Sequence, residues 1–509
     1  MTEHVTSRSP VTGEELRTFT VPSGDAVSDT MEKARSAADQ WREASLNTRT
    51  RYLRRVERLI ANRTDELVDC VVQETGKPRL EALTGDVMMS AEFVSYYASN
   101  AREVLETESR STPLMAPGNR SLVEHRPYGV VAIISPWNYP IQLTLIPAIT
   151  ALVAGNAVVI KPSEYTPITG ERIGQLLNEA GGPEHLVSVV QGAATAGQHL
   201  VDAGPDKIFF TGSVSTGQSI RQNAAEQRIP VELEMGGNDP MIVCDDANVL
   251  RAARAAAWGG FSNAGQMCIS IERAYVHEDI ADTFLDHLLD KTSEIDVGGH
   301  PDADVGPMIH PDQTETIRSH VRDAVDAGAT LHTPLEVNGR FVQPVVLSGV
   351  RQDMDIMQEE TFGPVIAIRC VSNDREAIEL ANDSRYGLNA SVFSGDEDRA
   401  RSITTQLDVG ACYINNVVTN VGNPDLPFGG NKSSGLGRYH GPEGLHAFTK
   451  TTSIMIDRWY GSDEPNWFPY APELYDQLRS LLLLRFGDES FPEKLRRTIL
   501  LIKKLVAGG

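Results

Sequence analysis

The sequence is poor in the features that mark several classes of protein. Only five of its 509 residues are cysteine, and a small, odd, scattered set is not the disulfide framework of a secreted domain. No apolar run approaches the ~20 residues that span a bilayer. Basic residues number 46 against 69 acidic ones, so the formal net charge is −23. An acidic surface repels phosphate backbones, and we therefore expect no nucleic-acid partner.

The first residues also lack the charged-then-apolar pattern of a secretory signal. Together with unpaired cysteines, this favours a cytoplasmic protein. Hydrophobic residues make up 41% of the chain and charged residues 23%, a composition typical of globular proteins with a large core. The length predicts two to four structural units.

Short, wholly apolar runs alternate with helical segments through the middle of the chain. Val130–Ile134 and Ala157–Lys161 have the composition of strands buried on both faces, and a helix is predicted between them over Gln142–Ala154. This alternation predicts a parallel sheet with crossover helices. The pattern restarts near Asn248, which indicates a second α/β unit. Residues 25–106 are predicted to be helical and residues 121–127 to form an exposed strand.

Three side chains could carry covalent chemistry. Cys268 lies among small and polar residues in FSNAGQMCISIER and could be a nucleophile, although most free cysteines are small core residues. Glu234 ends an apolar strand before Gly236 and Gly237 and could act as a base, or could be an ordinary turn acid. The Asn138 amide could donate to an oxyanion or simply belong to a turn.

A second set of side chains could bind a dinucleotide. Lys161 and Glu164 follow a buried strand, where ligands of open α/β sheets bind. Ser213 lies at a strand-to-helix junction among glycines, which suits a pyrophosphate at a helix N-terminus, although the G-x-G-x-x-G fingerprint is absent. Glu360 and Phe362, in QEETFGPV, could hold and cover a nicotinamide ribose. Each of these peptides is equally compatible with an ordinary loop when taken alone.

Taken together and in this order, the peptides resemble the aldehyde dehydrogenase superfamily. The resemblance runs from about residue 5 to about residue 455 and is closest to a branch of succinate semialdehyde dehydrogenases. It rests on the stretches SPWNYP, LVAGNAVVIKPSE, FTGSVSTG, LEMGGNDP, FSNAGQMCISIER, EETFGPV, ANDSRYGLNASVF and LPFGGNKSSGLGRYHGPEG.

The resemblance implies an α/β fold with three parts and a tail. A Rossmann-like NAD-binding domain would comprise residues 1–108 and 128–235, and an α/β catalytic domain residues 236–450. Residues 109–127 and 451–456 would form a small β flap that pairs subunits into a homodimer or homotetramer. Residues 457–509 would be a separate C-terminal tail.

It also implies a role for each candidate residue. Cys268 would attack the aldehyde, Asn138 and the backbone N–H of Cys268 would bind the oxyanion, and Glu234 would activate water to hydrolyse the thioester. The remaining residues would bind the cofactor. Trp137 and Ser213 would contact the pyrophosphate region, and Lys161 and Glu164 would bind the adenosine ribose. Glu360 would bind the nicotinamide ribose, and Phe362 would pack beside it. No metal is expected. Glu164 would repel a 2′-phosphate, so NAD is expected as cofactor, with NADP possible.

The residues leave two substrates open. The branch resemblance favours succinate semialdehyde, whose distal carboxylate would need a cation in the pocket. The helix LTLIPAITALV has none, with Ile146 where other succinate semialdehyde dehydrogenases place an arginine, and Arg273 could not be assigned to the pocket. An apolar or broad aldehyde substrate is therefore favoured. The family's usual lysine after the paired glycines is Asn238 here.

Two other functions are disfavoured, and the tail has two readings. Glu234 argues against a coenzyme-A-acylating enzyme, and a non-catalytic dinucleotide-binding scaffold would need none of the three catalytic residues. In the tail, residues 494–506 combine apolar side chains with five cations. As a helix they would suit a membrane surface, or would pack on the body or a partner subunit.

Overall fold

The computed structural model describes residues 3–113, 118–458, 467–488, 490–494, 496, 498 and 499. Contacts divide the chain into two units. The larger unit comprises Met1–Thr107 and Glu124–Thr452, and the smaller comprises Glu108–Val123 and Ser453–Gly509. Every candidate site residue belongs to the larger unit.

The α-helices are α1 (Gly24–Arg42), α2 (Leu46–Asn62), α3 (Thr64–Thr75), α4 (Arg79–Glu81), α5 (Met89–Leu105), α6 (Gln142–Ala154), α7 (Pro167–Glu179), α8 (Ala194–Asp202), α9 (Val214–Gln227), α10 (Val249–Phe261), α11 (Ala281–Ser293), α12 (Gln313–Asp326), α13 (Asp355–Gln358), α14 (Asp374–Asn382), α15 (Glu397–Thr404), α16 (Gly441–Ala447) and α17 (Leu474–Phe486). A π-helix, Ala82–Met88, joins α4 to α5.

The strands are β1 (His4–Arg8), β2 (Glu15–Thr20), β3 (Glu108–Arg110), β4 (Asn119–Pro127), β5 (Val130–Ile134), β6 (Ala157–Lys161), β7 (Val187–Val189), β8 (Lys207–Gly212), β9 (Val231–Met235), β10 (Asp239–Val243), β11 (Ile271–His277), β12 (Thr330–Leu331), β13 (Val337–Asn338), β14 (Phe341–Val342), β15 (Val345–Ser348), β16 (Val365–Val371), β17 (Asn389–Phe393), β18 (Ala411–Ile414), β19 (Gly435–Leu436) and β20 (Thr449–Asp457).

The first large sheet has the order β19-β9-β8-β5-β6-β7. The five strands β9, β8, β5, β6 and β7 run parallel to one another. Strand β19 pairs antiparallel with β9, and Gly435 lies opposite Glu234. Strands β5 and β6 are buried along their whole length, as their continuous apolar sequences predict. Helix α6 between them is buried on every side.

The second large sheet has the order β12-β15-β16-β11-β10-β17-β18. All neighbouring pairs are parallel except β12 with β15. One cluster of buried apolar side chains contains the first sheet, residues of helices α1, α2, α5 and α6 and one face of the second sheet, and a second cluster contains the other face of the second sheet. Two parallel sheets with crossover helices confirm the predicted α/β class.

The smaller unit contains a three-stranded sheet, β20-β4-β3, and helix α17. The exposed strand predicted over residues 121–127 lies within β4. The domain boundaries and the oligomerisation role of residues 109–127 and 451–456 stay predictions. The amphipathic helix predicted over residues 494–506 lies almost wholly outside the described residues. Among the residues that are described, no helix has the length and apolar character needed to cross a membrane.

Several elements differ from the sequence expectation. The hairpin β1–β2 was not predicted because most of its residues are polar and at least partly exposed. Strand β10 was not predicted because it begins with Asp239 and a proline, which read as a turn. The region 25–106, predicted to be helical, consists of five α-helices and a π-helix.

Candidate active site

The carboxyl ends of the first sheet carry the predicted residues. Asn138 lies just beyond the end of β5, Glu164 just beyond β6, Ser213 directly after β8, and Glu234 near the end of β9. Because these strands are parallel neighbours, their ends converge on one edge of the sheet, where open α/β sheets bind ligands. The topology therefore explains why residues far apart in sequence meet in one place.

A cavity of about 620 Å³ lies at this edge. Lys161 and Glu164 line it, as do Trp137 and Ser213. The Lys161 ammonium is buried, donates to the carbonyl of Gly192 at 2.9 Å, and lies 3.7 Å from a Glu164 carboxylate oxygen. Burial lowers the pKa of Lys161, and Glu164 opposes that shift. A cation and an acceptor side by side in a cleft can hydrogen-bond vicinal ribose hydroxyls.

The start of α9 is arranged for a phosphate. The Ser213 hydroxyl caps the helix by accepting from the Thr216 amide at 3.3 Å, as predicted. The Thr211 hydroxyl beside it is buried and has no hydrogen-bond partner among the described residues. An unpartnered hydroxyl and a helix N-terminus together fit a dinucleotide pyrophosphate.

An adjoining cavity of about 380 Å³ holds the predicted catalytic groups. Cys268, Glu234 and Asn138 line it together with Glu360 and Phe362, and the two cavities share Trp137 and Ser213 among their walls. The structure thus brings all nine predicted residues to one cleft. A cofactor whose ribose lay beside Glu164 would extend toward Cys268.

Cys268 is partly exposed, so its sulfur can be reached from the cavity. Burial raises the pKa of its thiol well above the usual value, and the nearby carboxyls of Asp239, Glu360 and Glu234 raise it further. The thiol is therefore protonated at neutral pH in this state, and a nucleophilic role requires its deprotonation.

Glu234 is buried, with one carboxylate oxygen that has no hydrogen-bond partner among the described residues. Burial raises its pKa well above the ordinary glutamate value, with Arg438 opposing the shift. A buried, unpaired carboxyl group that faces a cavity and has a raised pKa can act as a general base once it is deprotonated.

Asn138 is buried beside the nucleophile loop. Its side-chain nitrogen donates to the carbonyl of Gln266 at 3.0 Å, two residues before Cys268. Asn263 and Ala264, which begin this loop, have left-handed backbones with φ of +52° and +57°. The loop turns sharply there and returns Cys268 toward Asn138.

Glu360 and Phe362 form the opposite wall. A Glu360 oxygen accepts from the Gly237 amide at 3.0 Å, and the Phe362 ring stands edge-on to Trp137 at 5.6 Å between centroids. Glu272 holds this wall in place, because its buried carboxylate accepts from the amides of Thr361 at 2.8 Å and Phe362 at 2.7 Å. No feature of the sequence had predicted this support by Glu272.

Other side chains of the smaller cavity were not among the predicted residues: Leu143, Thr211, His310, Phe428 and Tyr439. Phe428 and Tyr439 belong to the stretch LPFGGNKSSGLGRYHGPEG, which supports the family resemblance but has no individual residue with a predicted role. His310 stands in no motif, and only the fold brings it to the cleft.

The structure also places the residues that bear on substrate charge. Arg273 is fully buried and donates to the carbonyl of Asn238 at 2.9 Å and the hydroxyl of Tyr275 at 3.0 Å, so it supports the second sheet and does not line the cavity. Ile146 is fully buried within α6. Among the described residues that line the smaller cavity there is no lysine or arginine.

Asn238 takes a structural role where the family usually has lysine. Its side-chain amide donates to the carbonyl of Glu359 at 2.7 Å, next to Glu360. The substitution therefore links the turn after β9 to the wall that carries Glu360.

The fold and the cleft define an oxidoreductase of the dinucleotide-binding α/β class. The family model described as "Aldehyde dehydrogenase family" matches residues 1–454, and the chain belongs to this family. Solved structures agree. An aldehyde dehydrogenase of Mycobacterium tuberculosis complexed with NAD+ is 32% identical with a TM-score of 0.86, over 91% of this chain and 96% of that one. A NAD-dependent aldehyde dehydrogenase of Sinorhizobium meliloti is 35% identical with a TM-score of 0.87, over 92% and 93%.

Relatives of known name differ in substrate. A 4,4'-diapolycopene aldehyde oxidase of a Methylomonas species is 43% identical over 490 residues, which cover 96% of this chain and 92% of the relative. A Mycolicibacterium smegmatis protein, provisionally named as an NADP+-dependent succinate-semialdehyde dehydrogenase, is 38% identical over 89% of each chain. The chain is an enzyme that acts on aldehydes with NAD or NADP, and the reading as a non-catalytic scaffold is set aside.

Proposed function

We propose that the enzyme oxidises an apolar aldehyde to the carboxylic acid through a thioester on Cys268. The observation that carries the proposal is the smaller cavity, where a thiol, an amide donor and an unpaired carboxyl group share one space, and no lysine or arginine is among the described residues that line it. The first two of these groups suit attack on a carbonyl, and the third suits hydrolysis of the product of that attack.

The first half of the reaction forms the thioester. Once the Cys268 thiol has given up its proton to solvent, its thiolate adds to the carbonyl carbon, and the oxygen takes up the negative charge. The Asn138 side-chain N–H and the backbone N–H of Cys268 stabilise that charge, and one such donor is typically worth about 10²–10³ in rate. Nicotinamide, when bound, supplies the hydride acceptor. Loss of hydride from the tetrahedral adduct leaves the carbonyl bonded to sulfur as a thioester.

The second half hydrolyses the thioester. Glu234 takes a proton from a water molecule while the oxygen of that water adds to the thioester carbon. The carbon–sulfur bond then breaks, the Cys268 thiolate leaves, and the acid is released. Because the raised pKa of Glu234 lies closer to neutrality than that of an ordinary glutamate, its carboxylate is a stronger base for this step.

The cavity supports an apolar substrate. A distal carboxylate in this space would meet Glu234 and Glu360 with no lysine or arginine on the wall to pair with it, and an unpaired buried charge is costly. The relative named as a 4,4'-diapolycopene aldehyde oxidase aligns with almost the whole chain. A long apolar aldehyde, of which only the reacting end enters the cavity, is the substrate class we favour.

Succinate semialdehyde is the second candidate. The motif resemblance and the names of several relatives at 36–38% identity support it. We expect kcat/KM for a long-chain alkanal, presented in mild detergent, to exceed that for succinate semialdehyde at least about 100-fold, the cost of about 2.7 kcal/mol for an unpaired charge. A higher kcat/KM for succinate semialdehyde under the same conditions would reverse this assignment.

We propose that NAD is preferred over NADP. Glu164 lines the larger cavity beside Lys161 and can accept from a ribose 2′-hydroxyl, whereas a 2′-phosphate would bring like charges together. Some relatives are named as NADP-dependent. The preference is therefore tested by the ratio of kcat/KM with NAD to kcat/KM with NADP, which we expect to exceed one.

We propose a homodimer or homotetramer formed through the three-stranded sheet. Strand β20 lies at one edge of that sheet and exposes Met455 and Ile456 by 57% and 38%. An apolar edge strand is a ready surface for pairing with a second copy. Light scattering should give a mass of two or four chains, and Met455→Lys should lower it.

We propose that the tail attaches this cytoplasmic enzyme to an anionic membrane surface. Helix α17 has no buried residue among those described, and Tyr475, Leu482 and Phe486 are exposed by 74%, 58% and 71%. The basic stretch 494–506 follows in a chain that is otherwise strongly acidic. The region aligned with the 4,4'-diapolycopene aldehyde oxidase covers 96% of this chain and therefore includes most of residues 455–509.

Co-sedimentation with liposomes tests this attachment. The full chain should sediment with anionic vesicles and remain in solution with neutral ones, and deletion of residues 494–509 should abolish the difference. Equal binding by the full and the shortened chain would contradict the proposal and favour a tail that packs on protein.

A further inference from the structure

A buried ion pair lies behind the cleft and outside both cavities. The ammonium of Lys77 is 3.1 Å from a carboxylate oxygen of Asp86, and the two side chains are 1% and 0% exposed. Neither residue lines the cavities. Because removing two charges from water is costly, a buried pair is weak evidence for stability. Its hydrogen bonds point instead to the loop that carries Asn138.

The pair holds this loop at two points. Lys77 donates to the backbone carbonyl of Asn138 at 2.6 Å. The other carboxylate oxygen of Asp86 accepts from the amides of Ile141 at 3.0 Å and Gln142 at 3.3 Å. The Lys77 ammonium also lies 3.9 Å from the centroid of the Tyr139 ring. One ion pair thus fixes the backbone from Asn138 to Gln142.

The same carbonyl of Asn138 is linked to the nucleophile loop. The Asn263 side-chain nitrogen donates to it at 3.2 Å and to the carbonyl of Gln266 at 3.1 Å. Gln266 is the residue whose carbonyl accepts from the Asn138 side chain. The backbone N–H of Asn263 donates to a carboxylate oxygen of Glu81 at 2.8 Å. The backbone at Asn138 and the backbone just before Cys268 are therefore held to each other and to one helical segment.

That segment includes the π-helix Ala82–Met88, which carries Asp86. A π-helical turn shifts the side chains that follow it relative to a regular α-helix, and such turns are frequent at functional sites. Here Lys77, Glu81 and Asp86 all direct hydrogen-bonding groups at the two loops.

We infer that Lys77 and Asp86 are positioning residues that orient Asn138 for the developing oxyanion. The inference rests on the role proposed for Asn138 above. A donor contributes to the transition state only if it is held where the oxyanion forms, and a small displacement forfeits much of its effect. The ion pair supplies that fixation from outside the cavity, without contact to substrate or cofactor.

The test is the double variant Lys77→Met/Asp86→Asn, which removes the ion pair and the Lys77 bond to the Asn138 carbonyl without leaving one charge buried alone. We expect the pre-steady-state rate of reduced-cofactor formation to fall about 10–100-fold, part of the effect of a full oxyanion donor. KM for NAD should stay within about twofold, since no cofactor contact is changed. The variant Lys77→Gln/Asp86→Asn, which keeps hydrogen-bonding groups at both positions and leaves no charge buried alone, should lose less and serves if the first double variant folds poorly.

A matched control lies at the other end of β5. There Asp206 accepts from the amide of Val130 at 2.8 Å and pairs with Arg35 at 3.3 Å. The double variant Arg35→Met/Asp206→Asn removes a partly exposed ion pair that holds the start of the same strand, far along it from Asn138. Its rate of reduced-cofactor formation should be unchanged. An equal loss in this control would show a general effect on the sheet and overturn the inference.

A double-mutant cycle separates this inference from the proposed function. In an Asn138→Ala background the Lys77→Met/Asp86→Asn change should cost little more, because the group that it positions is already gone. Multiplying losses would mean that the pair acts independently of Asn138 and would overturn the inference. If Asn138→Ala alone left the rate unchanged, the role proposed for Asn138 would fail, and the inference with it.

Discussion

Replacement of Glu234 by glutamine should separate the two halves of the reaction. The change keeps the size of the side chain and removes only its capacity to take a proton. Formation of the thioester needs Cys268 and Asn138 but not Glu234, so the first turnover should proceed. Hydrolysis should then stall, and the steady-state rate should fall about 10²–10⁴-fold, the contribution of a positioned general base.

The pH dependence follows from the burial of Glu234. The base acts when it is deprotonated, so the wild-type hydrolysis rate should rise with pH through an ionisation well above the ordinary glutamate value and be lost as the pH falls. The deprotonated fraction of the wild-type enzyme grows as the pH rises through this raised ionisation. The loss caused by Glu234→Gln should therefore be larger at alkaline pH than at neutral pH.

Stopped-flow absorbance of the reduced cofactor measures both halves at once. The Glu234→Gln variant should give a burst of about one equivalent per active site, followed by a slow steady state. Mass spectrometry of the peptide around Cys268 should then find the acyl group. A variant that loses the burst and the steady state in parallel would refute a base that acts only in hydrolysis.

Two further predictions concern the cofactor and the nucleophile loop. Glu164→Gln should lower the NAD-to-NADP ratio of kcat/KM about tenfold, the effect of removing about 1.4 kcal/mol of like-charge repulsion; an unchanged ratio would contradict the role of Glu164. Gly265→Ala should lower stability in chemical denaturation by about 3 kcal/mol, because its φ is +71° and an added Cβ would lie 2.0 Å from the carbonyl oxygen of Gly363. Gly328→Ala, with φ of +104° and no atom within 4 Å, is the matched control and should cost only about 1 kcal/mol; equal losses would contradict the close approach at Gly265.

The central strands could be predicted from sequence because burial on both faces requires a continuous apolar run. The bounds of β5 and β6 are those predicted, Val130–Ile134 and Ala157–Lys161. The hairpin β1–β2 escaped prediction because its exposed strands alternate only weakly, and β10 because Asp239 and the following proline resemble a turn. Local sequence marks a strand only where its surroundings are uniform.

The site was predictable only in part, and for a similar reason. Residues that face the cleft lie in motifs at strand ends and could be named, as Cys268 and Glu234 were. Residues that act from behind carry no local mark: Lys77 and Glu272 are charged side chains that a sequence places at the surface, yet both are buried. Arg273 lies five residues after Cys268 but points into the second sheet, which only the course of β11 decides.

The most direct test of the account is the formation of reduced cofactor by purified enzyme with NAD and a long-chain alkanal. The wild type should turn over, Cys268→Ala should have no detectable activity, and Cys370→Ala, which removes an exposed cysteine outside both cavities, should match the wild type. Turnover that persists in folded Cys268→Ala would contradict a thioester on Cys268.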